Sequence, residues 1–414
     1  MPQQPSQLTP NQPYWLLSGI HLPHQNQTVA ICISEGKIKN IYPDESLDPK
    51  FIAHAQYHIR IKNGWLWPGN INAHEHLAFN AYPTLTNQKF ADYTQWADFL
   101  HQTCRQQIAK IEALPITLRL QCTMVKNILA GVTTICQHGR NYAKLLPAPP
   151  INVYYCRTLH SLAHEKKYRF WQFWLPKPHR LPTIHLAEGS SFLAAAEPNE
   201  LQKIIPRYCK FIAIHGITLT ANHPILKQLK GLVWCPYSNL ELYGATAPLQ
   251  TLTSQLPIAF GTDSTLSSHW DWWQHIQTAT QTQLLSPETL YQAATKTGAS
   301  IFNLPDYNNA GIITNDTKAD FFVTTYPELI SATNPDDLAN NTASQWALTQ
   351  TKNIQLVVCK GQIVQIDDNI AAAHNLPVEN GFTSLNIQGC KKWLSGNYKN
   401  TIAYIRNNLN WGIN

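Results

Sequence analysis

Between residues 67 and 311 short apolar runs alternate with helix-forming stretches, and this alternation constrains the fold more than any other feature. The runs are LWPGNINAHEH (66–76), GVTTICQH (131–138), INVYYCRTLH (151–160), PTIHLAEG (182–189), FIAIHG (211–216), GLVWCP (231–236) and PIAFGTD (257–263). Helical patterns cover 92–114, 118–130 and 286–302, the last with Ser286 as N-cap and Pro287 at the first helical position. Strands and helices in alternation form βαβ units around a parallel sheet. The stretch is about 245 residues long, the size of a (β/α)8 barrel. Seven strands are visible and a barrel needs eight. The fourth must lie between His160 and Thr183, where KKYRFWQFWL reads equally as helix or strand, so it is either compressed or irregular.

The two ends of the chain differ from the middle and resemble each other. VAICISEGKIKNIYP carries a hairpin signal at Glu35-Gly36, and IQLVVCKGQIVQI carries one at Lys360-Gly361; ADFFVTTYP (319–327) has the same strand-like character. The expected architecture is α/β: a TIM-like barrel over 67–311 and a small β-sandwich domain built from both termini, 1–66 and 312–380. A tail, 381–414, has Ile402, Ile405 and Leu409 near helical spacing and reads as a helix packed on the barrel or on a neighbouring subunit. A homodimer is thereby left open.

Composition narrows the class. With 44% hydrophobic and 14% charged residues among 414, the chain has material for a sizeable core. Its net charge of +6 is mild at this length, and there is no basic run to serve a nucleic-acid surface. No apolar run approaches the ~20 residues of a membrane span. The start, MPQQPSQLTPNQP, lacks the pattern of a secretory signal. Nine scattered cysteines without CxxC spacing predict reduced thiols and a cytoplasmic setting.

Polar residues recur where the apolar runs end. His74 and His76 end the first, His138 the second, His160 the third, His185 and Glu188 the next, His215 the next and Asp263 the last. Residues i and i+2 of a strand point to one side, so His74 and His76 can converge on one point. In a parallel barrel the C-terminal strand ends share one face, where active sites are built. Chance does not place histidines at strand ends repeatedly. Imidazoles with a carboxylate form a borderline-soft N/O set suited to zinc or iron(II). Such an ion lowers the pKa of bound water, and a carboxylate outside its coordination shell can move protons.

Taken in order, HEH after PG, GVTT, HLAEG, IHG, CPYSNLELYGATAP and GTDS resemble the amidohydrolase superfamily, and within it the cytosine deaminase and chlorohydrolase-like branch. The resemblance covers nearly the whole chain up to about residue 381. It implies that His74, His76, His185 and Asp263 bind a metal and that Asp263 can accept a proton from water. It further implies that Glu188 moves protons to substrate and leaving group, and that His215 polarises substrate or orients water. Binuclear members use a modified lysine or a glutamate on strand four; no such residue lies on a recognisable strand here, which predicts one divalent ion, zinc first and iron second. Strands two and three end GVTTICQHGR and CRTLHS, unlike many relatives, so cytosine, guanine and adenosine derivatives are not carried over as substrates.

His138, Arg140, Arg157, His160, Asn239 and His269 are the residues proposed to hold substrate, with Tyr237, Glu241 and Trp270 further along the same loops. Arg140 and Arg157 have ion pairing as their plainer role, and His269 with WDWW (270–273) reads equally as a lid or as helix packing. A basic, aromatic pocket would suit a flat heterocycle or a carboxylate-bearing small molecule. The expected activity is metal-dependent hydrolysis of a non-peptide C–N bond, deamination of a heterocyclic amine first and opening of a cyclic amide second. A non-catalytic barrel used for binding is the alternative from another class; it would be expected to have lost a ligand or the proton carrier, and every matched position is filled.

Overall fold

The computed structural model describes residues 12–23, 27–174, 180–305, 310–325 and 342–414. The polar start of the chain and the last two residues of ADFFVTTYP lie outside them. Strands β1 (Trp15–His21), β2 (Thr28–Ser34), β3 (Lys37–Pro43) and β4 (His58–Pro68) come first. The barrel wall follows with β5 (Asn70–Glu75), β6 (Val132–Gln137), β7 (Asn152–Tyr155), β8 (Arg157–Thr158), β9 (Pro182–Leu186), β10 (Phe211–His215), β11 (Leu229–Trp234) and β12 (Ile258–Phe260). Last come β13 (Phe321–Thr324), β14 (Ile354–Cys359), β15 (Gln362–Asp367), β16 (Phe382–Ile387) and β17 (Cys390–Ser395).

Every pairing within the barrel wall is parallel, in the orders β5-β6-β7 and β8-β9-β10-β11-β12. Alternate residues fill its interior: Ile212 and Ile214 of β10 and Val233 of β11 face inward with Ile71, Cys136 and Ala259, while Phe211, Ala213 and Leu232 join the core under the helices. No separate fourth strand forms among the described residues. β8 continues the third strand after a break at Cys156 and pairs directly with β9, and KKYRFWQFWL supplies a 3-10 helix, Lys167–Phe173. The wall closes between its last and first strands, where the Asp263 amide donates to the His74 carbonyl at 3.0 Å. Gly261 is required at that seam: a Cβ there would sit 2.7 Å from His74 Cβ.

Both ends of the chain enter one nine-stranded sheet, ordered β16-β17-β15-β14-β13-β4-β1-β2-β3. Its strands serve two cores by the period of two. Leu66, Phe321, Val323, Leu356 and Val358 face the small domain's own core, whereas Trp65, Trp67, Phe322, Val357 and Cys359 join the barrel core. The tail differs from the helical expectation, because β16 and β17 form a hairpin on the edge of this sheet before the helix Lys399–Asn408 begins. Thr383, Leu385 and Ile387 alternate as buried residues across the Gln388-Gly389 turn, the signature of a strand. The helix then packs on the barrel: Thr401 donates to Gln121, Tyr404 to the Ala81 carbonyl, and Trp411 stacks on Trp270. No helix among the described residues is long and apolar enough to cross a membrane.

Candidate active site

The first strand shows how one short sequence serves two purposes. His74 and His76 project into the barrel mouth with ring centroids 4.8 Å apart. Glu75, between them, points the other way into a buried polar knot. Lys126 Nζ donates to Glu75 Oε2 at 3.0 Å, and Asn72, Asn80 and Asn127 each donate to the same carboxylate. Lys126 also reaches Asn80 Oδ1, Thr262 Oγ1 and the Asp263 carbonyl. The lysine therefore ties strand one to the end of strand eight. The sequence analysis missed it, and the available signal was a lysine embedded in the apolar helix Ile116–Leu129.

Above the knot the donor atoms converge. His74, His76 and His185 form one group, and His74, His215 and Asp263 another, with ligand atoms within 4.8 Å of one another in each. His185 Nε2 lies 3.3 Å from His74 Nε2, and Asp263 Oδ1 lies 3.5 Å from His76 Nε2 and 3.8 Å from His74 Nε2. Burial first, then the neighbouring imidazoles, lower His74 and His185 well below the ordinary histidine value, so their nitrogens carry lone pairs. His74 Nδ1 is buried with no hydrogen-bond partner. Facing Nε2 lone pairs are unfavourable alone and fit a bound cation. Three residues at this face, Ala187, His215 and Asp263, adopt positive φ (54°, 72° and 60°), a backbone strain that the surrounding structure must hold.

Two carboxyls differ in charge by environment. Burial raises Glu188, opposed in part by His215 and by the Tyr243 hydroxyl, which donates to Oε1 at 2.7 Å. Burial also acts to raise Asp263, but His76, His215, the Ser267 hydroxyl and the Ser264 amide overcome it and hold the group below its ordinary range. One carboxyl is thus biased to keep a proton and the other to stay ionised. His215 Nδ1 bonds to the Asn239 amide oxygen at 2.7 Å, which makes Nδ1 the protonated nitrogen. Its Nε2 lone pair faces Glu188 Oε1 at 3.6 Å.

A cavity of about 390 Å³ opens onto these groups. His76, His160, His185, Glu188, His215 and Asp263 line its inner end. Of the residues proposed to hold substrate, His160 alone is on the wall among the described residues. His138 lies behind it, stacked on His185 at 4.4 Å, with Nε2 on the Leu159 carbonyl and Nδ1 near the Thr183 hydroxyl. Asn239 is buried behind His215. Arg157 turns onto the 3-10 helix, bonding Gln172, and Arg140 is exposed beside Tyr142. His269 accepts from the Asp271 amide, and Trp270 packs on the tail. Among the described residues no arginine or lysine lines the cavity, so the basic pocket expected from the sequence is not what they form.

Besides Lys126, two further residues not foreseen from the sequence hold Glu188 and its turn. Tyr243 is one. Glu197 is another: 2% exposed, it accepts from the Tyr93 hydroxyl at 2.5 Å and from the Ala187 amide at 2.9 Å, pinning the left-handed residue before Glu188. Burial raises Glu197 to about 7.

The profile of the amidohydrolase family matches residues 184–364, the stretch that runs from His185 through Asp263 into the small domain. The matched stretch is somewhat under half of the 414-residue chain, and over it the chain is similar to the amidohydrolase family. No protein of curated function matches it in sequence. Solved structures share its fold at low identity. An adenosine deaminase from Xanthomonas campestris with bound zinc aligns at TM-score 0.63 and 17% identity, over 86% of this chain and 94% of that one. A guanine deaminase from C. acetobutylicum with bound guanine gives 0.61 and 15%, over 84% and 99%. A variant of atrazine chlorohydrolase from Arthrobacter aurescens, with zinc and atraton, gives 0.60 and 14%, over 84% and 95%.

Proposed function

We propose that this protein is a mononuclear metal-dependent amidohydrolase that removes ammonia from a small, flat heterocyclic amine. The observation that carries the reading is the convergence of His74, His76, His185, His215 and Asp263 beside the buried carboxyl of Glu188. His74, His76, His185 and Asp263 would hold one divalent ion, zinc before iron; the zinc in two structural neighbours supports that order. A bound ion supplies Lewis acidity and lowers the pKa of water near neutrality.

The chain's own groups then divide the proton traffic. Asp263, ionised, is the acceptor for a proton from water. Glu188, biased to its protonated form, delivers a proton to the leaving nitrogen, and Tyr243 fixes its orientation. His215 is locked by Asn239 and offers a lone pair at Nε2. His160 borders the space a ring would occupy. The nine cysteines, free in the structure, support a reducing compartment such as the cytoplasm.

The test is a screen of zinc-loaded enzyme against aminopyrimidines, aminopurines and amino-triazines, scoring ammonia release and product mass. An amine replaced by oxygen with the ring intact, abolished in Glu188→Gln at unchanged metal content, is the expected result. Ring opening would move the activity to cyclic amide hydrolysis. A metal-loaded protein inert on every class would overturn the reading.

A further inference from the structure

The outer half of the cavity has a chemistry of its own. The helix Tyr93–Thr103 supplies Trp96 and Leu100, the following helix supplies Ile108, and Phe79 and Leu266 complete an apolar wall beyond the histidines. Phe79 is 37% exposed and stacks one face on His76. Trp96 and Ile108 are half-buried, so this wall leaves aromatic and aliphatic surface open to the cavity. Such surface gains from an apolar occupant.

The charges lining the cavity reinforce the point. Its carboxyls are Glu112, Glu188 and Asp263, and no described lysine or arginine lines it. Two cations near the wall are engaged behind it: Arg119 lies beside the Tyr82 phenol, and Lys126 lies in the Glu75 knot. A carboxylate or phosphate on the outer part of a substrate would meet Glu112 and apolar side chains, with the imidazoles of His101 and His164 as the basic groups there among the described residues. A lone ring at the histidines would leave the outer wall wet.

From these two observations, and resting on the deaminase reading above, we infer that the substrate is an uncharged heterocyclic amine bearing an apolar substituent, which lies against Trp96, Leu100 and Ile108. Nucleotides and carboxylate-bearing rings are disfavoured by Glu112 and the apolar side chains of the same wall. Trp96 is the specificity-determining residue, because it is the largest side chain on this wall.

The test uses three versions of one aminopyrimidine, bearing hydrogen, an n-butyl group, or a carboxylate on a chain of the same length. Both kcat/KM for ammonia release and direct binding by calorimetry are measured with zinc-loaded enzyme. The butyl compound is expected to exceed the bare ring at least tenfold and the carboxylate compound by more. Trp96→Ala is expected to shrink the butyl advantage to threefold or less. A bare ring that equals the butyl compound, or a preference for the carboxylate, overturns the inference while leaving deamination intact. If none is turned over, the deaminase reading fails, and the binding order alone still decides the question: butyl tightest supports the inference, any other order overturns it.

Discussion

Two lysines are buried against carboxylates in different halves of the molecule, and they do different work. Lys126, under the barrel mouth, has a side chain only 2% exposed, and its partner Glu75 is fully enclosed. It binds atoms from strand one, the Asn80 turn and the end of strand eight. Lys392, on β17, is fully buried too, but its partner Asp367 is 15% exposed. It bonds Asp367 and the Ile354 carbonyl, both at 2.6 Å, and so fastens the tail hairpin to the sheet. Burial raises Asp367 to about 6 against the pull of Lys392, which gives that carboxyl the option of taking a proton. Glu75 sits between two candidate ligands with no route to solvent. A buried lysine–carboxylate pair fixes the geometry of the candidate site in one place and a sheet edge in the other.

Breaking the barrel pair should have the largest effect. Lys126→Met leaves a buried carboxylate without its cation, a loss of about 3–5 kcal/mol, and is expected to cut ammonia release more than a hundredfold in whatever fraction folds. Denaturant titration and kinetics on the same preparation check both. Next comes Tyr243→Phe, which removes one hydrogen bond from Glu188. A bond to a charged or proton-carrying group is worth about 1.5–3 kcal/mol, so kcat should fall roughly 10- to 100-fold with KM within threefold. An equal fall in metal content would show instead that Tyr243 supports the ligands.

Glu197→Gln probes the same turn through pH. A carboxyl raised to about 7 in the folded chain, against an ordinary 4.5, stabilises fully below 4.5 and loses that contribution as pH rises through 7. Wild type should therefore lose Tm relative to Glu197→Gln between pH 5 and pH 8. A constant difference would mean that Glu197 does not titrate in this window. The smallest effect belongs to the sheet. Lys392→Met should cost about 1–2 kcal/mol, since Asp367 can protonate or reach water, and activity should stay within twofold. Equal loss of activity in Lys126→Met and Lys392→Met would erase the contrast between the two regions.

The barrel was legible because its strands keep a period of two and its ligands sit at strand ends, where a parallel sheet gathers them. Sequence order alone brings His74, His76, His185, His215 and Asp263 to one face. The same rule over-reached with Arg157 and His138. Arg157 follows the break at Cys156 and turns onto the 3-10 helix, and His138 lies one layer below the cavity. Neither displacement has a local signal. Lys126, Tyr243 and Glu197 act through contacts 51, 55 and 10 residues away in sequence, which no spacing rule encodes. The tail hairpin did carry a signal, the alternation around Gln388-Gly389, which helical spacing further along obscured.

The most direct test is metal content per chain, by elemental analysis of the protein as purified and after incubation with zinc. One tightly held ion per chain is expected, retained in Lys392→Met and lost in His185→Ala and Asp263→Ala. A folded wild-type chain that binds no divalent ion under either condition would contradict the account.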